Sequence, residues 1–190
     1  KYAWGIGFHW YEDWSGGDQM FDNVRRVYES FPDKPLIFTE GCNGPFKYEQ
    51  LKLWKWGERY GRSMINDFNN GMTAFTDWNI LLDENGGPNH VKNYCFAPVH
   101  ADTRTGEFIY TNAYYYIGHF SKYIQPGAKR ISTTPSRSQL LATAFRNPDN
   151  SVAVVVMNQS DKAANYHLWI NGKAVLTAAP AHSINTLLIK

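Results

Sequence analysis

The sequence predicts an α/β fold with a parallel sheet, followed by a module built from β-strands. Up to about Pro126, short apolar runs alternate with helical stretches, which is typical of βα units. Beyond that point, β-type runs are separated by turn clusters, which indicates an antiparallel sheet or sandwich. We therefore expect one domain over residues 1–126, with a loop excursion over 80–111, and a second domain over 127–190.

The first domain contains three apolar runs with the length of buried parallel strands. They are Ala3–Phe8, Leu36–Thr39 and Thr73–Asp77. Apolar residues at helical spacing predict the helices Met20–Phe31, Lys47–Asn69 and Ala113–Tyr123. A parallel sheet of three strands would leave two unpaired edges, so we expect the missing strands to lie upstream of this segment.

The second domain contains apolar runs with a β-type pattern. The predicted strands are Leu140–Phe145, Ser151–Met157, Tyr166–Ile170 and Ile184–Ile189. Turn clusters separate them, such as the segments at 147–150 and 171–173, which are rich in Asn, Asp, Gly and Pro.

Composition excludes several classes of function. Lys plus Arg is 19 against 17 for Asp plus Glu, which is too even for a nucleic-acid interface. The apolar runs stop far short of the roughly 20 residues of a membrane span. We expect Cys42 and Cys95 to be free thiols, and we expect no metal site, because neither cysteine has a CxxC partner or a His at ligand spacing.

Polar residues follow each of the three predicted parallel strands. Glu40 comes directly after Leu36–Thr39, while His9–Tyr11 and Thr76–Asn79 stand at the ends of the other two. In barrels of parallel strands, the strands' C-terminal ends carry the catalytic groups. A Glu in this place can also pair with an Arg or cap the next helix, so the residue alone leaves both interpretations open.

The neighbours of Glu40 favour glycoside hydrolysis. A retaining glycosidase uses one carboxylate as nucleophile and a second as acid/base, and it needs no cofactor besides water. His9 and Tyr11 are suited to keeping a nucleophilic carboxylate ionised, and the flat face of Trp78 is suited to stacking on a sugar ring. We therefore expect no cofactor.

Five ordered segments then resemble one known family. They are His9–Tyr11, Phe38–Cys42, Thr76–Asn79, Gly86–Asn89 and Gly118–Lys122. In this order and spacing they are similar to the C-terminal half of glycoside hydrolase family 30, the glucosylceramidase family. The resemblance implies about strands 6 to 8 of a (β/α)8 TIM barrel, followed by part of an all-β sandwich domain.

The resemblance also implies roles for individual residues. Glu40 would be the catalytic nucleophile, at the end of the seventh barrel strand. The implied substrate-binding residues are His9, Trp10 and Tyr11 after the sixth strand, Trp78 after the eighth, and Asn93 in the following loop.

One departure from the family concerns the acid/base, usually a Glu that follows an Asn at the end of the fourth strand. No Asn-Glu dipeptide occurs in this sequence, and Asp77, Asp83 and Glu84 would have to act from the wrong strands. We therefore expect the isolated chain to be inactive, and we expect its partner to be the missing N-terminal half of the barrel.

The resemblance implies a retaining β-glycosidase of the glucosylceramidase or β-glucosidase type, and thus sphingolipid or carbohydrate metabolism. Two alternatives stay open: a β-1,6-glucanase of the same family, and a non-catalytic carbohydrate-binding fragment that uses its Trp and Tyr faces. The sequon Asn158-Gln159-Ser160 is compatible with a secreted or lysosomal-type location.

Overall fold

The structure is a computed structural model that describes residues 2–12 and 16–190. Its Cα positions form two compact units, Lys1–Tyr115 and Tyr116–Lys190.

A parallel sheet organises the first unit. Its strands are β1 (Ile6–His9), β2 (Leu36–Glu40) and β3 (Met72–Phe75), and β2 lies between the other two. Helix α1 (Phe21–Ser30) follows β1, and helix α2 (Trp54–Asn69) follows β2. The three predicted βα units are therefore present. Among the described strands, β1 and β3 each pair on one side only, as expected for part of a barrel.

Helix α2 is shorter than the sequence predicts. The stretch from residue 47 contains a single 3-10 turn at Tyr48–Gln50, and Leu53 is extended at φ −65° and ψ 128° before the helix begins. The helix ends at Asn69, as expected, and Gly71 follows at a φ of +106°, a conformation that glycine adopts without strain.

An aromatic cluster holds the parallel sheet together. Phe38 in β2 is fully buried, and its ring stacks on Phe75 of β3 at 4.5 Å between centroids. Phe8 of β1 and Trp10 meet the same ring edge-on at 5.5 and 5.4 Å. The three strands are thus fixed to one another by side chains as well as by backbone hydrogen bonds.

The expected loop excursion over 80–111 contains regular structure that the sequence did not indicate. It forms a second sheet of β4 (Leu81–Asp83), β5 (Val99–Asp102) and β6 (Glu107–Tyr110), with β5 in the centre. These strands have only three or four residues each, so they carry too little alternation for a sequence pattern to reveal.

Helix α3 (Asn112–Ser121) leads into the second unit, which is otherwise made of strands. These are β7 (Lys129–Ile131), β8 (Leu140–Arg146), β9 (Val152–Asn158), β10 (Ala164–Ile170), β11 (Lys173–Ala179) and β12 (Ser183–Ile189). One antiparallel sheet has the order β12-β9-β8-β7, and β10 and β11 form a separate two-stranded sheet. The four predicted strands are present, whereas β7 and β11 were not predicted.

The second unit has its own apolar core. Buried side chains of β8 and β9 pack against Ala164 of β10 and Ala179 of β11. Asn171 and Gly172 connect β10 to β11 with φ values of +49° and +73°, as in the tight turns that favour Asn-Gly. The turn was visible in the sequence, but the strand after it is rich in Ala and was not.

Asn158 closes the end of this core and cannot serve as a glycosylation site in the folded chain. Its side chain is fully buried. Its amide nitrogen donates to the carbonyl oxygens of Lys162, Ala179 and Pro180 at 2.8, 3.1 and 2.9 Å. Its amide oxygen accepts from the backbone and hydroxyl of Ser160. The sequon therefore carries no evidence on location.

We predict that Asn158→Ala lowers the free energy of unfolding by about 3 kcal/mol, because the three carbonyls around this fully buried side chain lose their donor at once. Asp161→Ala is the control, since Asp161 is exposed and its ion pair with His182 is expected to contribute less than about 1 kcal/mol. Urea unfolding of both variants measures the difference. Equal stabilities for the two variants would contradict this role of Asn158.

Candidate active site

Glu40 is the last residue of β2, and its side chain is partly exposed at the C-terminal end of the parallel sheet. Gly41 follows, and the packing there leaves no room for a side chain. A Cβ at this position would lie 2.7 Å from the Phe38 ring and 2.9 Å from Trp10. The backbone thus packs directly against the aromatic cluster at the residue that follows Glu40.

Two side chains from the end of β1 meet this carboxylate. The Tyr11 hydroxyl donates to Glu40 Oε1 at 3.1 Å, and His9 Nδ1 lies 3.9 Å from the same oxygen. The strand register explains the contact, because His9 pairs with Glu40 across a one-residue shift. The other nitrogen of His9 lies 3.1 Å from the Thr39 hydroxyl, which orients the ring.

Tyr11 is held as a proton donor. Burial, with the neighbouring Cys42 and Glu40, raises the pKa of Tyr11 well above its ordinary value, so the hydroxyl keeps its proton. The hydroxyl also lies 3.7 Å from Cys42 Sγ. One Tyr hydroxyl is therefore shared between a carboxylate and a thiol.

Trp10 lies beneath the site instead of in it. Only 2% of its surface is exposed, and its indole nitrogen donates to the carbonyl of Cys42 at 3.2 Å. The Arg59 guanidinium stacks on its ring at 4.5 Å and donates to its backbone carbonyl at 3.2 Å. Trp10 thus offers no free face to a sugar in this structure, and it ties α2 to the ends of β1 and β2.

The end of β3 is anchored by Asp77. The buried Tyr60 of α2 donates to both of its carboxylate oxygens at 2.9 and 3.1 Å, and the Trp78 amide donates to one of them at 3.0 Å. Desolvation raises the pKa of Asp77 to about 7. The Trp78 amide lies 3.1 Å from the carbonyl of Gly41, and the Trp78 side chain is 38% exposed. Trp78 therefore stands free of the core, next to the turn after Glu40.

Asn93 lies in the loop between β4 and β5 of the second sheet, and its side chain is exposed. The side-chain oxygen of Asn89 accepts the amides of Val91 and Asn93 at 2.9 and 3.2 Å, which shapes the turn. The Cys95 thiol donates to the carbonyl of Asn93 at 3.4 Å. This contact connects Asn93 to the residues behind Glu40 through its backbone.

The other acidic residues near the loop have structural partners. One carboxylate oxygen of Asp83 accepts the amides of Asn85 and Gly87 at 2.8 and 2.9 Å. One oxygen of Glu84 accepts from the amide and hydroxyl of Thr103, both at 2.9 Å. Both carboxylates thus stabilise turns at the edge of the second sheet.

His100 lies in strand β5, and it is fully buried. Its Nε2 accepts the Ala97 amide at 2.9 Å, so its Nδ1 carries the proton and donates to the Asp83 carbonyl at 2.7 Å. Desolvation lowers the pKa of His100. Both nitrogens are therefore used structurally. Within the ranges that the structure describes, no three His, Cys, Asp or Glu residues are grouped to hold a metal ion, and no helix is long and apolar enough to span a membrane.

Three residues of the site were not predicted from the sequence. Arg59, Tyr60 and Cys95 reach the strand ends from a helix and a distant loop. No local pattern reveals such contacts, although the position of Arg59 and Tyr60 on the predicted helix was a weak signal.

Comparison with known protein families decides the relationship. The model of the glycosyl hydrolase family 30 TIM-barrel domain matches residues 1–124, and that of the family 30 β-sandwich domain matches residues 127–187. The chain belongs to glycosyl hydrolase family 30. The parallel sheet is thus the C-terminal part of the family's TIM barrel, and the strands that follow belong to its β-sandwich domain.

Individual members of family 30 agree with this result. The chain is 34% identical over 193 residues to the lysosomal acid glucosylceramidase of Mus musculus, covering 99% of this chain and 37% of that protein. It is 32% identical to SrfJ of Salmonella typhimurium, with a TM-score of 0.89 and coverage of 97% and 40%. The endo-β1,6-glucanase BT3312 shares the fold, with a TM-score of 0.82 at 24% identity over 99% of this chain and 41% of that one. The chain thus spans about two fifths of the length of these relatives.

We predict that Asp77 makes folding stability fall as pH rises. Its pKa is about 7 in the folded state and 3.8 in the absence of burial. Between these values the unfolded chain has lost a proton that the folded chain keeps, so deprotonation favours unfolding. The difference corresponds to about 4 kcal/mol. Asp77→Asn, which removes the titration but keeps an oxygen for Tyr60, should be the more stable protein at pH 7.5 and about equal to wild type at pH 4.5.

Urea unfolding at the two pH values measures this effect. Asp22→Asn is the control, because Asp22 is exposed and pairs with Arg25 on the surface. The same stability difference at both pH values for Asp77→Asn would contradict the prediction.

Proposed function

We propose that this chain carries the nucleophile of a retaining β-glycoside hydrolase, and that the nucleophile is Glu40. One observation carries the proposal: Glu40 stands at the C-terminal end of a parallel strand, with the Tyr11 hydroxyl at 3.1 Å and His9 at 3.9 Å from one oxygen. In TIM barrels the C-terminal strand ends line the active site, and the hydrogen bond from Tyr11 fixes the orientation of the Glu40 carboxylate there.

In the proposed reaction, Glu40 attacks the anomeric carbon and forms a covalent glycosyl ester while the aglycone leaves. Tyr11 holds the carboxylate through one oxygen and leaves the other to attack. A second carboxylic acid protonates the leaving oxygen and then activates the water that hydrolyses the ester. In retaining enzymes the two carboxyl groups lie roughly 5 to 5.5 Å apart.

We assign the second carboxyl group to a part of the protein outside this chain. Asp77 has a suitable pKa of about 7, but Tyr60 and the Trp78 amide occupy its oxygens. Asp83 and Glu84 are engaged in turns. The chain alone would therefore lack a contribution of about 10² to 10⁴-fold, and we expect it not to hydrolyse glycosides by itself.

The proposed substrate is a β-glucoside of the glucosylceramide type. Support comes from the 34% identity to a lysosomal acid glucosylceramidase. Within the site we propose that the exposed face of Trp78 stacks on the glucosyl unit and that His9 and Asn93 bind its hydroxyls, while Trp10 supports Arg59 and the strand ends from below.

We predict that a cyclitol epoxide of glucose configuration esterifies Glu40 in the complete protein. Peptide mass spectrometry should find the adduct on the tryptic peptide that contains Glu40, and Glu40→Gln should abolish it together with hydrolysis of an aryl β-glucoside. Asp83→Asn is the control, because it removes a carboxylate that accepts the turn amides of Asn85 and Gly87. An adduct on another residue would refute the assignment.

We predict that Tyr11→Phe lowers kcat by about 10- to 100-fold with little change in KM, since a hydrogen bond to a charged group contributes about 1.5 to 3 kcal/mol. Tyr48→Phe is a matched control, because it removes a hydroxyl that donates to Asp102, away from Glu40. Steady-state kinetics of both variants make the comparison. Equal losses in the two variants would show that the Tyr11 hydroxyl does not act on the nucleophile.

A further inference from the structure

Two cysteines that are 53 positions apart lie side by side behind Glu40. The Sγ atoms of Cys42 and Cys95 are 3.2 Å apart. The backbone fixes both: the Phe96 amide donates to the Asn43 carbonyl at 2.9 Å, and the Cys95 amide donates to the carbonyl of Gly86 at 3.0 Å. The contact thus results from two segments that are already hydrogen-bonded to each other.

The geometry allows the two sulphurs to bond. A disulfide has an S–S distance of about 2.05 Å, so the Sγ atoms need to approach by about 1 Å from their 3.2 Å separation. The surroundings of the two thiols differ. Only 3% of Cys95 is exposed, whereas Cys42 is partly accessible at the strand end that carries Glu40. An oxidant therefore reaches Cys42 first.

The two cysteines also differ in their pKa values, and so in the roles that they can take in disulfide formation. Contact with the neighbouring Cys95, the Tyr11 hydroxyl and the Arg59 charge lowers the pKa of Cys42 to about 7, against burial and the charge of Glu40. The same contact, together with burial, raises the pKa of Cys95 far above its ordinary range. Cys42 is thus the nucleophilic thiolate, and Cys95 keeps its proton until it acts as the resolving thiol.

We propose that Cys42 and Cys95 form a dithiol that hydroperoxides oxidise to an intramolecular disulfide. The Cys42 thiolate attacks a peroxide oxygen, the O–O bond breaks, and the leaving oxygen takes a proton and departs as water or an alcohol. Cys42 is then a sulfenic acid. Cys95 attacks its sulphur, the S–S bond forms, and the hydroxyl leaves as water with the proton of Cys95. The two thiols lose two electrons and the peroxide gains them.

Oxidation changes the surroundings of Glu40. In the reduced protein the Tyr11 hydroxyl lies 3.1 Å from Glu40 and 3.7 Å from Cys42 Sγ. A disulfide sulphur is uncharged and is a poorer acceptor than a thiolate, so it competes less with Glu40 for the Tyr11 hydroxyl. Oxidation of Cys42 and Cys95 therefore changes the hydrogen bonding of Tyr11, the residue that contacts the proposed nucleophile.

Peptide mass spectrometry of the full-length native protein tests the proposal. The protein is reduced, desalted, treated with hydrogen peroxide, blocked with iodoacetamide and digested without reductant. The expected result is a cross-linked peptide pair that contains Cys42 and Cys95, is two hydrogens lighter than the two free peptides together, and disappears after treatment with dithiothreitol. Recovery of both cysteines as unlinked peptides, alkylated or separately oxidised, would overturn the proposal.

The Cys95→Ser variant tests the order of events. Serine keeps a donor next to Cys42 but cannot close a disulfide, so the cross-link should be lost and dimedone should trap a sulfenic acid on Cys42. A peroxide-treated variant in which Cys42 stays a free thiol would contradict its role as the attacking residue. These readouts are masses of cysteine peptides, so they are independent of whether Glu40 is the nucleophile.

Discussion

The parallel pairing of β1, β2 and β3 brings together the residues that follow these strands, and Glu40 is among them. Phe38, in the middle strand, contacts aromatic rings from both neighbours, and this packing sets the register that places His9 opposite Glu40. Because parallel strands end at the same edge of a sheet, the strand arrangement by itself brings the polar residues after each strand together. Gly41 depends on the same cluster, since a larger residue would collide with Phe38 and Trp10.

Buried polar contacts then tie the strand ends to the rest of the first unit. Arg59 and Tyr60 of α2 hold the segments after β1 and β3, and the bridge between Asn43 and Phe96 joins the turn after β2 to the segment before β5. Desolvation raises the pKa of Asp77, whereas contacts with Cys95, Tyr11 and Arg59 lower the pKa of Cys42. A residue with a shifted pKa near a proposed nucleophile can thus have a structural role, and its hydrogen-bond geometry is needed to tell that role from a catalytic one.

The sequence predicted the elements in which apolar residues recur at helix or strand spacing, or which end at a cluster of turn residues. The βα units, four of the strands after residue 126 and the placement of Glu40 all follow from such patterns. The short strands β4 to β6 were invisible, because three or four residues cannot show a period. Long-range contacts could not be predicted for another reason. No residue near Cys42 in the sequence indicates that Cys42 contacts Cys95. The family resemblance supplied a role for Asn93 that no local pattern indicates.

Azide rescue tests the proposed role of Glu40 most directly. In the complete protein carrying Glu40→Ala, azide can occupy the space left by the carboxylate and attack the anomeric carbon of an activated aryl β-glucoside. If Glu40 is the nucleophile, azide restores cleavage and the product is the α-glucosyl azide, which proton NMR identifies from its anomeric coupling. Formation of the β-glucosyl azide would show that Glu40 is the acid/base, and full activity without azide would show that it is neither.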